Sequence, residues 1–139
     1  MANETFVWDE TFFAGADLSS KQFYIVKSTG SNGANKVASI CTSSTGTGNK
    51  CAIGVLQNAS SSAHAVTVRL MGRTKVIASS SGTIAYGDYV TSTTWGTAIA
   101  CNTSGDRVLG VARTASTGVT GQVIECDLLG GFNYVIGST

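Results

Sequence analysis

The sequence predicts an all-β fold: a compact β-barrel or sandwich with pseudo-duplicated halves and an extended N-terminal arm. Short runs of β-branched and aromatic residues recur along the chain, and Gly, Ser, Asn and Thr bound them, as is typical of strands. No window longer than about ten residues has the apolar spacing of an amphipathic helix. The two halves of the chain also contain similar segments in the same order, which indicates an internal repeat.

Several segments have the composition of β-strands. In the clearest one, apolar Val66, Val68 and Leu70 alternate with polar residues, which is typical of a strand with one buried and one wetted face. This strand is expected to continue past a bend or bulge at Gly72, because an isolated glycine in a strand often marks one. The predicted strands cover residues 23–27, 36–41, 51–56, 65–71, 73–78, 89–92, 97–100, 107–113 and 122–128.

The repeat is visible in three pairs of segments. Each half of the chain has the same order of elements: a turn, a strand, a loop, an x-Gly-Val strand, a hairpin and a long strand. Such an order predicts two copies of one β unit within a single barrel or sandwich. The paired segments are 18–24 with 84–90, 53–55 with 109–111, and 66–70 with 122–128. Within the first pair, Gly87 and Asp88 predict a tight turn before the following strand.

The chain of 139 residues is predicted to be one β domain at 17–129, with an N-terminal arm at 1–16 and a C-terminal tail at 130–139. Both terminal segments are aromatic. Chain ends fray unless they dock, so each segment packs either into its own core or onto a neighbouring molecule. For the arm we favour the neighbour, because Ala14-Gly15-Ala16 has the composition of a flexible joint. Deleting residues 2–13 is then expected to leave the β domain folded.

Composition argues against several classes of partner. Nine basic and eight acidic residues leave a net charge of +1, and they form no basic stripe along the chain. Neither nucleic acid nor a membrane surface is therefore an expected partner. The N-terminus lacks a basic segment followed by an apolar one, and no apolar run approaches the ~18 residues that span a bilayer. We expect a soluble protein that is made in a cytoplasm.

The sequence contains no recognisable catalytic set, so an enzyme is not expected. His64 is the sole histidine, no Gly-x-Ser-x-Gly motif accompanies it, and an exposed position at a strand edge is predicted. Glu125 and Asp127 fall on the same face of one predicted strand, and that face is expected to be solvated, with both carboxylates ionised. The Gly-rich segment 45–50 lacks the spacing of a phosphate-binding loop.

No metal or other cofactor is predicted either. The four cysteines are Cys41, Cys51, Cys101 and Cys126, and no two of them have the Cys-x-x-Cys spacing of a zinc site. Reduced, partly buried thiols are the favoured state in a reducing compartment. A disulfide between Cys41 and Cys51 across a hairpin is the alternative.

Residues 50–130 carry a series of turn and strand motifs in a distinctive order. The motifs are 53–55 (Ile-Gly-Val), 68–72 (Val-Arg-Leu-Met-Gly), 82–90 (Gly-Thr-Ile-Ala-Tyr-Gly-Asp-Tyr-Val), 106–112 (Asp-Arg-Val-Leu-Gly-Val-Ala) and 121–128 (Gly-Gln-Val-Ile-Glu-Cys-Asp-Leu). Their order resembles that of the capsid cement, or head decoration, proteins of tailed bacteriophages. The chain departs from that family in its Ser/Thr content, its few acidic residues and its longer C-terminus.

This resemblance implies a structural virion protein on the capsid exterior. It implies the major capsid protein as a partner, self-association as a homotrimer, and a role in clamping neighbouring capsomers. Aromatic residues of the two terminal segments are then the expected contacts with capsid or neighbour: Phe6, Trp8, Phe12, Phe13, Phe132 and Tyr134. The alternatives are another virion component, such as a tail-tube or head-fibre protein, and a carbohydrate-binding or adhesin-like module.

Overall fold

The computed structural model describes residues 6–32, 35–41, 52–102, 104, 106–130 and 134–135. None of these residues lies in a helix, so the all-β prediction is confirmed for this part of the chain. It follows that no described helix is long and apolar enough to cross a membrane. The strands are β1 (Trp8–Ala14), β2 (Ile25–Asn32), β3 (Asn35–Ile40), β4 (Ala52–Leu56), β5 (Ala65–Ile77), β6 (Tyr89–Ser92), β7 (Ala98–Ala100), β8 (Arg107–Val108), β9 (Gly110–Ala112), β10 (Val123–Leu129) and β11 (Tyr134–Val135).

The first half of the chain forms a closed five-stranded barrel in the order β1-β3-β2-β4-β5, with β5 pairing back to β1. The β1–β3 pair is parallel and the other pairs are antiparallel. The ring closes through β1, which pairs with β3 at Phe13–Val37 and Ala14–Ala38 and with β5 from Trp8 to Phe13. The ring encloses a core of alternating inward residues: Phe12, Ala14, Leu18, Val26, Ala38, Leu56, Val66 and Val68.

The second half forms a similar ring, which we call the second barrel. It consists of the later part of β5 followed by β10, β9, β6 and β7. A single parallel bridge between Ala78 and Ala98 joins β7 back to the end of β5. The thirteen-residue strand β5 therefore belongs to both rings, its first part to one and its later part to the other. The core of the second ring contains Val76, Ala78, Ile84, Val90, Ala98, Ala112, Ile124 and Cys126.

The two rings match residue by residue, which confirms the predicted duplication. The parallel pair Ala14–Ala38 of the first ring corresponds to the bridge Ala78–Ala98 of the second. Backbone hydrogen bonds also recur. The Leu18 amide donates to the Ser60 carbonyl at 2.8 Å, and the Ile84 amide donates to the Ser116 carbonyl at 3.2 Å. By this register, each core residue of the first ring has a counterpart in the core of the second.

The N-terminal arm departs from its prediction. Residues 8–14 are not free of the β domain but form β1, which pairs with β5 from Trp8 to Phe13. Phe12 is buried at 5% exposure in the first core. The expected docking of this segment on a neighbour is therefore wrong for β1. The physical reason is that removing β1 would leave the hydrogen-bonding groups of β5 unpaired and the core open.

Other strand predictions differ in extent. Segment 89–92 coincides with β6, whereas segments 65–71 and 73–78 merge into β5, which passes through Gly72 at a φ of +101°. Segment 107–113 divides into β8 and β9. Strand β11 pairs with β8 through Tyr134 and Val108, so this part of the C-terminal tail returns to its own chain.

Candidate interaction surface

An exposed apolar surface lies where β1 begins and β10 ends. Phe6 is 73% exposed, Trp8 47% and Leu129 36%, and Val7 lies beside them. Trp8 is opposite Met71 on β5, and Met71 is opposite Leu129 on β10, so three neighbouring strands contribute. We call Phe6, Val7, Trp8, Met71 and Leu129 the apolar end surface.

Local backbone geometry places these side chains together. A register irregularity between Trp8 and Asp9 puts Trp8 opposite Met71, next to the pair Asp9–Arg69. Gly72 and Gly130 complete the packing. A Cβ on Gly72 would lie 2.6 Å from the Phe6 carbonyl oxygen, and one on Gly130 would lie 2.5 Å from Met71 Cε. Both glycines have positive φ, a conformation that residues with a Cβ rarely adopt, and at Gly72 a side chain would also meet the backbone of Phe6.

A row of ion pairs borders the apolar end surface. Arg69 Nε lies 2.8 Å from Asp9 Oδ1. The two carboxylate oxygens of Asp127 each accept a hydrogen bond, Oδ1 from Arg73 Nε at 2.9 Å and Oδ2 from Arg113 Nε at 2.6 Å. The hydrogen bond from Arg69 lowers the pKa of Asp9, and the hydrogen bond from Arg73 is the largest cause of a similar decrease in the pKa of Asp127. Both carboxylates are therefore ionised and neutralised at physiological pH.

The predicted contact residues are placed differently from one another. Phe6 and Trp8 are exposed on the apolar end surface, Phe13 is half-buried, and Phe12 lies in the core with Lys36 Nζ 5.5 Å from its ring centroid. Phe12 is therefore corrected from a contact residue to a core residue. Phe132 lies outside the described residues, as does the Tyr134 side chain, although the Tyr134 backbone pairs with Val108.

Met71 and Leu129 were missed as members of this surface. Alternation in β5 and β10 indicates that they point outward, since each shares a face with a charged residue two positions away. Their proximity to Trp8 depends on the pairing of three strands that are distant in sequence. A second group of exposed aromatic residues lies on the second barrel: Tyr86, Tyr89 and Trp95.

His64 and the buried cysteines have side chains that can be chemically reactive. His64 is exposed, as expected, and its Nδ1 lies 2.9 Å from Ser61 Oγ. Burial raises the pKa of the Cys101 thiol to about 11 and that of Cys126 to about 12, so both are protonated and weak nucleophiles at neutral pH. Within the described ranges, no three His, Cys, Asp or Glu residues are grouped as a metal site would require. Cys51 and segment 45–50 lie outside those ranges.

No protein-family model matches the chain, and no curated protein matches it. A solved structure does resemble it: the crystal structure of the N base of the head fibre gp8.5 of bacteriophage phi29. The TM-score is 0.66, sequence identity is 17%, and the match covers 88% of this chain and 94% of the phage chain. The two chains therefore share a fold over almost their whole lengths.

Proposed function

We propose that this protein is a structural component of a bacteriophage virion, bound to the capsid exterior, where it stabilises contacts between capsomers. The observation that carries the proposal is the fold shared with the N base of a phage head fibre over 88% of the chain. The cement role in particular is what the sequence resemblance to capsid cement proteins implies.

The apolar end surface is the proposed contact with the major capsid protein. Contiguous exposed apolar residues mark interaction sites, and tryptophan is among the residues that contribute most to binding. Phe6 and Trp8 are exposed here at 73% and 47%. Because Asp9 and Asp127 are already paired with arginines, docking beside them would bury no unpaired carboxylate.

Self-association as a homotrimer is part of the proposal. One apolar end surface gives a modest interface, but three linked copies bind with a high effective concentration for the second and third contacts. The protein would then act by binding alone, without a cofactor or a chemical step.

A head-fibre component is the second candidate. It is favoured because the solved structure that this chain resembles is itself part of a phage head fibre. Such a protein would attach to the capsid by the same surface but would serve as a base for another part of the virion. It need not bridge capsomers. The two candidates therefore differ in what binding does to the capsid.

Binding to expanded empty heads of the phage that encodes the chain tests the proposal. The parent protein is expected to bind saturably and to raise the melting temperature of the heads. The double variant Phe6→Ala/Trp8→Ala should bind at least ~10-fold more weakly, since two anchors are lost. Trp95→Ala is the matched control, because Trp95 is 76% exposed on the other barrel.

The outcomes separate the candidates. Saturable binding without a rise in melting temperature would favour the head-fibre component over the cement role. No binding to heads, or equal binding by the double variant and the parent, would overturn the capsid contact that we propose.

A further inference from the structure

An open groove of about 280 Å³ lies on the second barrel, beside the chain that leads into β2. We call it the Trp95 groove. It is formed where four segments that are distant in sequence come together. They contribute Tyr24 before β2, residues 77–81 at and after the end of β5, Trp95 and Thr97 before β7, and Thr120 and Gly121 before β10.

Trp95 is held away from the core by a well-fixed turn. The Thr93 amide donates to the Thr97 carbonyl at 2.8 Å, and the two threonine hydroxyls lie 2.7 Å apart. Thr93 Oγ1 also accepts a hydrogen bond from the Trp95 amide at 3.2 Å. Gly96 follows with a φ of +75°, and a Cβ there would lie 2.9 Å from the Ile25 carbonyl oxygen. The backbone of the turn is therefore packed against the first barrel, while Trp95 remains 76% exposed.

Tyr24 supplies a second aromatic ring to the Trp95 groove. Its Cδ1 would lie 3.5 Å from a Cβ on Gly96, so the ring lies beside the turn that carries Trp95. Lys21, which is not part of the lining, has its Nζ 4.8 Å from the centroid of the Tyr24 ring. Tryptophan and tyrosine offer a large contact area and lose little conformational entropy on binding. The groove thus has a preformed aromatic wall.

The remaining lining of the Trp95 groove is rich in hydroxyl groups. Ser80, Ser81 and Thr120 are exposed there. Ser79 is buried, and its Oγ accepts a hydrogen bond from the Ser81 amide at 3.0 Å, which orients this segment. A hydroxyl group can both donate and accept a hydrogen bond. Every residue that lines the groove is uncharged.

The repeated fold does not require these hydroxyl groups. The Ser79 amide donates to the Ala98 carbonyl at 2.8 Å, as the Gly15 amide donates to the Ala38 carbonyl at 2.9 Å, so Ser79 and Gly15 are equivalent. In the first barrel Gly15 is followed by Ala-Asp, whereas in the second barrel Ser79 is followed by two more serines. The same backbone path therefore forms with and without the serines, and folding alone does not explain them.

We propose that the Trp95 groove binds a neutral saccharide. One face of a sugar ring presents C–H groups that stack on an indole, and the sugar hydroxyls pair with serine and threonine hydroxyls. Aromatic walls with a few polar groups and a volume of ~300 Å³ are typical of small-molecule sites. A phosphate or carboxylate on the ligand would lose water without gaining a cation from the lining. The inference goes beyond the proposed function and does not depend on the capsid contact.

Titration calorimetry of the full chain with maltotriose, cellotriose and triacetylchitotriose tests the inference. At least one of these neutral trisaccharides should bind with a dissociation constant of about 1 mM or tighter. Trp95→Ala should weaken that binding at least ~10-fold, and Trp95→Phe, which keeps a flat ring, should retain most of it. Trp8→Ala is the matched control, because Trp8 is an exposed tryptophan of the first barrel, and it should bind like the parent. A parent that binds none of the three, or a Trp95→Ala variant that binds as well as the parent, would overturn the inference.

Binding to phage heads distinguishes this inference from the proposed function. Trp95→Ala should bind heads like the parent, and Phe6→Ala/Trp8→Ala should bind the saccharide like the parent. All of these variants should keep the circular dichroism spectrum of the parent, because the replaced side chains are exposed. Loss of head binding in Trp95→Ala would assign Trp95 to a protein contact and contradict the saccharide site. A parent that binds the saccharide but not heads would count against the capsid role alone.

Discussion

At the scale of single residues, the repeat preserves backbone conformation where it does not preserve side chains. Phe23 and Ala63 have positive φ angles of 66° and 65°, and their counterparts in the second half, Gly87 and Gly121, have 86° and 77°. A residue with a Cβ is strained in this region by roughly 1–2 kcal/mol. The first half therefore contains two strained positions where the second uses glycine, and the surrounding hydrogen bonds hold both halves to the same path.

Gly121→Ala measures this strain without a packing effect, because no atom lies within 4 Å of a Cβ at that position. We expect the free energy of unfolding, measured with urea, to fall by about 1 kcal/mol. Ala63→Gly should leave stability unchanged or raise it. Gly82→Ala is the control, since Gly82 is equally open and has no positive φ. A loss in Gly82→Ala as large as that in Gly121→Ala would contradict this account.

At the scale of elements, the repeated x-Gly-Val strands owe their glycine to the neighbouring strand. A Cβ on Gly54 would overlap the Arg69 carbonyl oxygen, and a Cβ on Gly110 would overlap the Asp127 carbonyl oxygen. Arg69 and Asp127 occupy equivalent positions on β5 and β10. The glycine therefore allows two strands of each barrel to approach closely, which explains why the motif occurs once in each half.

Gly110→Ala should destabilise the protein far more than Gly121→Ala does. The added methyl group meets backbone rather than a flexible side chain, so β9 must move away from β10, at a cost of about 3 kcal/mol. The measurement is the urea midpoint at an unchanged slope. Gly54→Ala should have a similar effect in the first barrel. A loss below that of Gly121→Ala in both variants would show that the strands separate easily.

At the scale of the whole molecule, stability depends on strand closure across the full length of the chain. β1, near one end, closes the first barrel against β5, while the later part of β5 begins the second barrel. Equivalent positions of the two barrels also form ion pairs, but the acidic and the basic residue are exchanged between the two strands. The carboxylate of Asp9 on β1 meets Arg69 on β5, and Arg73 on β5 meets Asp127 on β10. Both barrels therefore rely on the central strand.

Deleting residues 2–13 should prevent cooperative folding, contrary to the expectation from sequence. The deletion removes most of β1 and the Phe12 side chain, which is 5% exposed in the core. Thermal unfolding followed by circular dichroism should lose its single transition or shift to a much lower temperature. Phe6→Ala/Trp8→Ala is the control and should melt like the parent, because both side chains are exposed. A truncated chain that melts like the parent would show that β1 is dispensable.

Much of this fold could be predicted from the sequence, because strand alternation and turn composition are local properties. β6 was located to the residue, and the duplication followed from repeated motifs. The arm was assigned wrongly, because acidic residues and the short alternation of Phe12 and Ala14 obscure a strand in residues 8–14. The apolar end surface could be predicted only in part. Phe6 and Trp8 are evident as aromatics, but Met71 and Leu129 join them through pairing across distant strands.

The sequence by itself determined the all-β class, the internal repeat and the turns, since each depends on the preferences of neighbouring residues. Only the tertiary structure decided which faces of the two repeats are covered. Ile25 and Tyr89 occupy equivalent positions in their repeats, yet one is fully buried and the other is 48% exposed. The difference arises because Ile25 packs into the core of the second barrel, and no local pattern records which outward side of a repeat a distant part of the chain will cover.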